Sequence, residues 1–473
     1  KGKTMRYQLF LGAAAVALVM PAAASAQETT SIIRGTVSSA DGAPVAGAPV
    51  TVTHVPSGSV STQRTNADGS FQLSGLRVGG PFTVVAGDVG DQATVTDIFT
   101  QLGEPFDLPI VLAGGTDQDI VVTASSVSGS GTRSQGPQTL LRSVDIAKVA
   151  SVNRDVRDLA RRDPFATIDL SNNRAVSFAG VNPRFNRFSI NGVGVNDTFG
   201  LNSDANPTRR GPVPLDAIDQ FTVSVAPVDI RQGNFTGGVI DLVLRAGTND
   251  YEGTGFYSLN TDGLTGNRIG SNTVVNDFRS QTYGGRLSGP IIKDKLFIMV
   301  AAERTTQGLP NGTGPAGEGF GASIPNLTRA QITQVQGIAQ SVYNYATGDV
   351  IRGQDELDEK IVGRIDWNIA EGQKLFLTYT NAFDSLVIPQ GSSASNSTPS
   401  VGLRSNGYLL TELQRAGQIQ LNSDWSDSFS TEARIGYLSF KRGQDPLLGR
   451  GFGQFTVCLD PTSTTSATSD SLT

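Results

Sequence analysis

One histidine, His54, and one cysteine, Cys458, stand in a chain of 473 residues. That inventory leaves little for acid–base, thiol or zinc chemistry, which needs such groups in pairs or clusters. Cys458 has no second thiol in this sequence, so a disulfide framework within it is excluded. His54 reads as a surface residue of a strand, and a lone histidine makes no iron or haem site. Asp355, Glu356, Asp358 and Glu359 could attract calcium, but they lack the EF-hand pattern and read as a solvated loop. Gly192-Val193-Gly194 lacks the third glycine of a dinucleotide fingerprint. Gly233, Gly237 and Gly238 read as a tight turn rather than a phosphate cradle. The sequence thus points to no catalytic residue, no metal and no cofactor, and so to a protein that is not an enzyme. A net charge of −6 is mild for this length and argues against nucleic acid as a partner.

The chemistry that remains belongs to the backbone. Asp119-Ile120-Val121-Val122-Thr123-Ala124 is a strand-forming island between two breakers. Ala113-Gly114-Gly115-Thr116 precedes it, and a Ser/Gly-rich stretch from Ser125 follows. An isolated strand in a flexible tether offers unpaired N–H and C=O groups to a partner sheet. The alternative is that it is the last strand of the domain before it. A second group with chemical potential is the arginines Arg174, Arg184, Arg187, Arg209 and Arg210. They could hold their own unit against carboxylates of a surrounding wall, such as Glu432, or simply be solvated.

The elements around these residues fall into a clear order. Met5-Arg6-Tyr7-Gln8 is a basic start, Leu9 to Met20 is apolar, and Ala24-Ser25-Ala26 is a cleavage pattern. Residues 1–26 therefore read as a signal peptide. Residues 30–113 read as a small β-sandwich, with short strands between turns such as Asp41-Gly42 and Asp68-Gly69. Residues 114–136 form the tether, and its dozen residues from Ser125 could reach about 40 Å when extended. Residues 137–248 read as a mixed α/β unit. A helix is expected between Val144 and Arg162, ended by Pro164, with strands at Phe188-Ser189-Ile190, Ile218 to Val225 and Val239 to Leu244.

From residue 249 onward the period becomes two. Ile361, Gly363, Ile365 and Trp367 alternate with Val362, Arg364, Asp366 and Asn368. Leu375, Leu377 and Tyr379, then Ile419 and Leu421, then Ala433, Ile435 and Tyr437 repeat the pattern. Apolar groups on one face and polar groups on the other suit a membrane barrel strand between lipid and a wet lumen. Short connections near 290–294, 370–372 and 425–428 alternate with long ones at about 305–358 and 384–405. Thr328 and Gln331 form a capping box inside the first long connection, ahead of an apolar stripe at Ile332, Val335, Ile338, Ala339 and Val342.

The order of these units resembles that of TonB-dependent outer-membrane receptors, within them the Oar-like group. Arg34 to Val37, Asp41 to Ala48 and Thr65 to Phe71 resemble a carboxypeptidase regulatory-like domain. Asp119 to Ala124 resembles a TonB box. Phe178 to Asn186, Phe188 to Val193, Pro214 to Phe221 and Arg231 to Gly238 resemble a plug domain. Arg245 to Asn249 resembles its exit into a barrel, and Gly289 to Phe297 an early barrel hairpin. The resemblance implies a mainly β protein: a transthyretin-like sandwich, an α/β plug, and at 249–473 an incomplete barrel. Such barrels have 22 strands, and seven or eight candidates follow Tyr251, so a truncated sequence is expected.

The resemblance also implies energised uptake or export across a bacterial outer membrane. TonB, with ExbB and ExbD, would grip Asp119 to Ala124 in the periplasm. Outer-membrane lipid would surround the barrel, and an extracellular ligand of unknown identity would bind the outer loops. Arg174, Arg184, Arg187 and Glu432 are the expected plug–barrel contacts. A passive channel and a surface adhesin without active transport are the competing classes.

Overall fold

The computed structural model describes residues 29–113, 120–132, 136–151, 153–170, 174–197, 199, 201–202, 205–226, 235–266, 268–269, 272–273, 278–310, 312–320, 322–324, 326–395, 399–426, 429–451, 453–458 and 471–472. The expected signal peptide, Asp119 and the segment Arg231 to Asn234 lie outside these residues.

The first unit is a two-sheet sandwich. Its strands are β1 (Ser31–Ser38), β2 (Pro49–His54), β3 (Ser59–Arg64), β4 (Ser70–Leu76), β5 (Gly79–Ala86), β6 (Ala93–Thr100) and β7 (Pro105–Val111). Alternate residues of these strands are buried, as the period-two pattern requires. Ile33, Val50, Val52, Phe82, Val84, Val95 and Leu108 fill the space between the sheets. Two further strands join this unit: β8 (Ile120–Thr123) and β9 (Gly131–Thr132). The sheets run β4-β1-β7-β9 and β3-β2-β5-β6-β8. The expected tether is therefore docked in part. Gly131 and Thr132 pair with β7, and the strand island lies along β6.

The second unit holds β10 (Gln138–Arg142), the hairpin β11 (Ala166–Asp169) and β12 (Ala175–Phe178), β13 (Arg187–Ile190), β14 (Val193–Gly194), β15 (Ile218–Ser224) and β16 (Val239–Leu244). The main sheet runs β10-β15-β16-β13-β14. The long helix expected at 144–162 is instead two four-residue helices, Ser143–Ile146 and Arg157–Ala160. Arg154 takes a left-handed φ of +50° between them. Asp155 accepts the Arg157 N–H at 2.9 Å, so a side chain competes with helical pairing there.

The third unit is a seven-stranded antiparallel sheet. It contains β17 (Glu252–Thr261), then, beyond a two-residue hairpin of β18 (Arg268–Ile269) and β19 (Asn272–Thr273), β20 (Arg279–Ile292) and β21 (Leu296–Pro310). After β22 (Thr313–Pro315) and β23 (Ala322–Ile324) come β24 (Gly353–Ala370) and β25 (Gln373–Ile388). Beyond β26 (Ser400–Val401) lie β27 (Tyr408–Ser426) and β28 (Phe429–Pro446). The order β17-β20-β21-β24-β25-β27-β28 gives an open sheet among the described residues. No helix among the described residues is long and apolar enough to cross a membrane.

The alternation of connections holds, with the long ones bounded at 311–352 and 389–407 rather than at 305–358 and 384–405. The loop helix Arg329–Tyr343 starts on the Thr328/Gln331 capping box and ends at left-handed Asn344. Ile361, Trp367, Tyr379, Ile419, Ile435 and Tyr437 face outward and are exposed. Val362, Asp366, Phe376, Thr380, Gln420 and Asn422 face inward and are buried. The α/β unit lies against this inner face, and its core includes Met299, Ala301 and Val362 of the wall.

The sandwich sits at the short-turn end. Lys374 donates to Ser61 Oγ at 2.7 Å, and the Asn249 N–H donates to Pro56 O at 2.8 Å. Gln220 of the α/β unit donates to Thr100 O at 2.8 Å.

Candidate functional site: the plug interface and the edge strand

The inner wall carries a row of charges that the plug meets with arginines. Arg154 reaches Glu303 at 2.7 Å and Asp216 of its own unit at 2.6 Å. Its guanidinium also lies 3.7 Å from the centroid of the Phe256 ring on β17. Arg210 donates to Glu356 Oε1 at 2.8 Å and also to Gln307. The Arg209 N–H donates to Asp384 at 3.0 Å. Arg364 of the wall donates at 2.6 Å to the carbonyl of Leu244, the last residue of β16. At the far side, Arg442 of β28 joins Asn202 of the plug at 2.7 Å and Glu412 of the wall at 3.1 Å. Lys360 bridges Glu303 and Asp358 at 3.4 and 3.0 Å.

Burial makes these contacts consequential. Glu303, Glu356, Asp358, Lys360, Asp384 and Glu412 are all buried. In such surroundings an ion pair whose partner is removed costs far more than an exposed one. The interface is therefore a set of discrete polar clasps around a shared apolar core.

None of the clasps described above uses the four residues expected at this interface. Arg174 pairs with Asp155 at 3.3 Å and with Asp158, both within the plug. Arg184 is exposed at the tip of a turn. Arg187 is buried on β13 and feels Asp241 of the same sheet. Glu432 pairs with Arg434 on its own strand and accepts from Thr29 at 3.2 Å. Arg209 and Arg210, also considered from sequence, do meet the wall. The acidic cluster expected as a solvated loop is instead the start of β24. Glu356 and Asp358 point inward there, while Asp355 is exposed. A signal for this was present in the chain. Residues 356, 358 and 360 share the even parity of Val362, Arg364 and Asp366, so extending that strand backward puts them in the lumen.

Local geometry in the plug explains the glycines. A Cβ on Gly238 would lie 2.2 Å from the Phe178 ring. The Gly238 N–H donates to Asn186 Oδ1 at 3.0 Å, and Asn186 Nδ2 donates to Val176 O at 2.6 Å. Close packing of backbone against ring accounts for this position. His54 is also corrected. It is buried, its Nδ1 lies 2.7 Å from Ser57 Oγ, and its ring is 4.9 Å from that of Phe82. Burial holds its pKa well below the usual histidine range, and nearby Arg77, Lys374 and Arg364 push it further down.

The strand island is ordered. Ala93, Thr94, Val95 and Thr96 of β6 pair in parallel with Ile120, Val121, Val122 and Thr123. Ala124 is buried in the sandwich core, and Val122 and Val127 pack against it. Val121 points away and is 66% exposed. A 3-10 turn at Ala124–Ser126 follows, in which Ser126 Oγ donates to Thr123 O at 2.7 Å. β8 is the end strand of its sheet, so one of its two hydrogen-bonding edges is paired and the other is open among the described residues. Sequence patterning could not separate a free strand from an edge strand, because both read as Ile-Val-Val-Thr between breakers.

Known proteins resemble parts of this chain. Residues 32–113 match the carboxypeptidase regulatory-like domain, and residues 243–348 match an outer membrane beta barrel domain. The TonB-dependent transporter Oar of Myxococcus xanthus is 29% identical over 156 residues, covering 31% of this chain and 14% of that protein. Among solved structures, the outer membrane transporter YddB from Escherichia coli gives a TM-score of 0.46 at 13% identity, over 71% of this chain and 42% of its own. The siderophore receptor PirA from Acinetobacter baumannii gives 0.46 at 16% identity, over 67% and 43%. The chain thus spans less than half the length of each of these proteins. It is similar over part of its length to the TonB-dependent transporter Oar, and it carries a carboxypeptidase regulatory-like domain ahead of a stretch that matches an outer membrane beta barrel domain.

Proposed function

We propose that this chain is the N-terminal part of an energised outer-membrane transporter. A periplasmic protein of the TonB type, driven with ExbB and ExbD, grips the segment Asp119 to Ala124 by strand addition. Tension then passes along residues 125–137 into β10, which pairs with β15 of the plug. The plug clasps are what that tension has to open. Movement of the plug past Glu303, Glu356 and Asp384 would clear a path for a ligand held by the outer loops.

The observation that carries this reading is the position of β8. It is the end strand of a sandwich sheet, with one edge open among the described residues, and in the chain it follows β1 to β7 and precedes the α/β unit. Strand addition uses backbone groups, so its affinity depends on extended geometry more than on side-chain identity.

The test is growth of cells that need the full-length receptor for a limiting nutrient. Growth should stop when TonB is removed or when Ile120–Thr123 is deleted, with the receptor still inserted in the outer membrane. Growth that continues in both cases sinks the reading and favours an adhesin or a passive channel.

A further inference from the structure

We infer that the sandwich presents the coupling strand rather than hiding it: β8 accepts its periplasmic partner strand while still paired to β6. This rests on the coupling role proposed above and adds how the strand is offered. A strand has two hydrogen-bonding edges. β6 occupies one, through the register Ala93 to Thr96 against Ile120 to Thr123. The other edge is open among the described residues, at the end of the order β3-β2-β5-β6-β8.

The side chains are arranged to match. Val122 and Ala124 turn into the sandwich core and anchor the strand, while Val121 and Thr123 are left outward. Val127, beyond the strand, packs against the same core and pins its exit. The partner that fits an open edge of four residues is one extended strand of a periplasmic protein, joined by backbone hydrogen bonds. A strand already held in place has lost its conformational freedom before the partner arrives, so binding avoids that ordering cost. The partner would extend the sandwich sheet, and the sandwich would travel with the strand when it is pulled.

Two variants of the full-length receptor test this with the C-terminal domain of TonB as the probe. Thr94 and Val121 are direct partners across β6 and β8, and adjacent strands lie within disulfide reach. Thr94→Cys with Val121→Cys, in a Cys458→Ser background, locks the strand down when oxidised. The oxidised form should bind the probe within about twofold of its own reduced form. Val127→Asp loosens the strand from the core without altering it, and should weaken binding roughly tenfold. Loss of binding on oxidation that reductant restores, or tighter binding by Val127→Asp, means the sandwich hides the strand and overturns the inference alone. A staple that does not form in the folded protein overturns it too. Absence of binding by the unmodified receptor overturns the coupling reading with it.

Discussion

Arg210 and Glu356 join plug to wall at 2.8 Å, with side chains 10% and 4% exposed. Glu356→Ala strands a buried guanidinium, and breaking such a pair costs about 3–5 kcal/mol. The expected result is earlier thermal release of the plug and faster proteolysis within it, in the full-length receptor in detergent. Replacing both partners with apolar residues should cost much less. An unchanged melting profile for Glu356→Ala would show that the clasp carries no load. His54 gives a second residue-level expectation. Its folded pKa lies below the usual value, so the folded state favours the neutral ring. Sandwich stability is then fully present above about pH 6.5 and falls as pH drops below it, because the unfolded chain takes up the proton first. Denaturant titrations at pH 7.5 and 5 should show this loss, and His54→Gln should reduce it. His54 shares the parity of buried Val50 and Val52 on β2, so its burial was legible by period two, although a lone histidine at a strand end reads as a surface residue. Glu356 and Asp358 were legible by parity, but four acidic groups within five residues look like a loop until a plug arginine is known to face them.

At the scale of elements, the strands of the sandwich and wall followed from period two, and the loop helix from its capping box. The helix expected at 144–162 did not form because Arg154 and Asp155 interrupt it with side-chain pairing. The plug clasps come from loop residues such as Asn202, Arg209 and Arg210, where no periodicity reports which way a residue faces. Close backbone approach sets further limits. A Cβ at Gly35, in β1, would lie 1.8 Å from Leu108 O of β7. Gly35→Ala should force these paired strands apart and destabilise the sandwich by about 3 kcal/mol, read from the denaturation midpoint of that unit. Tolerance of alanine there would mean the β1–β7 register is wrong. Gly238→Ala meets the Phe178 ring and should loosen the plug, visible as faster amide exchange in β12 and β16.

At the scale of the molecule, three units meet at one place. The sandwich closes the short-turn end, the plug lies along the inner wall, and β8 sits between them in the chain. The order of units was readable from the start because each has its own texture: turns at close spacing, then mixed periodicity, then long alternating strands. The docking of the sandwich onto the other two was not, because it rests on a few polar contacts such as Lys374 to Ser61 and Gln220 to Thr100. The central claim is that force enters through β8. The most direct measurement is binding of the TonB C-terminal domain to the purified full-length receptor, with and without Ile120–Thr123. Deletion should abolish binding while the barrel keeps its heat-modifiable mobility on a gel. Equal affinity for the deleted and intact receptors would contradict the account.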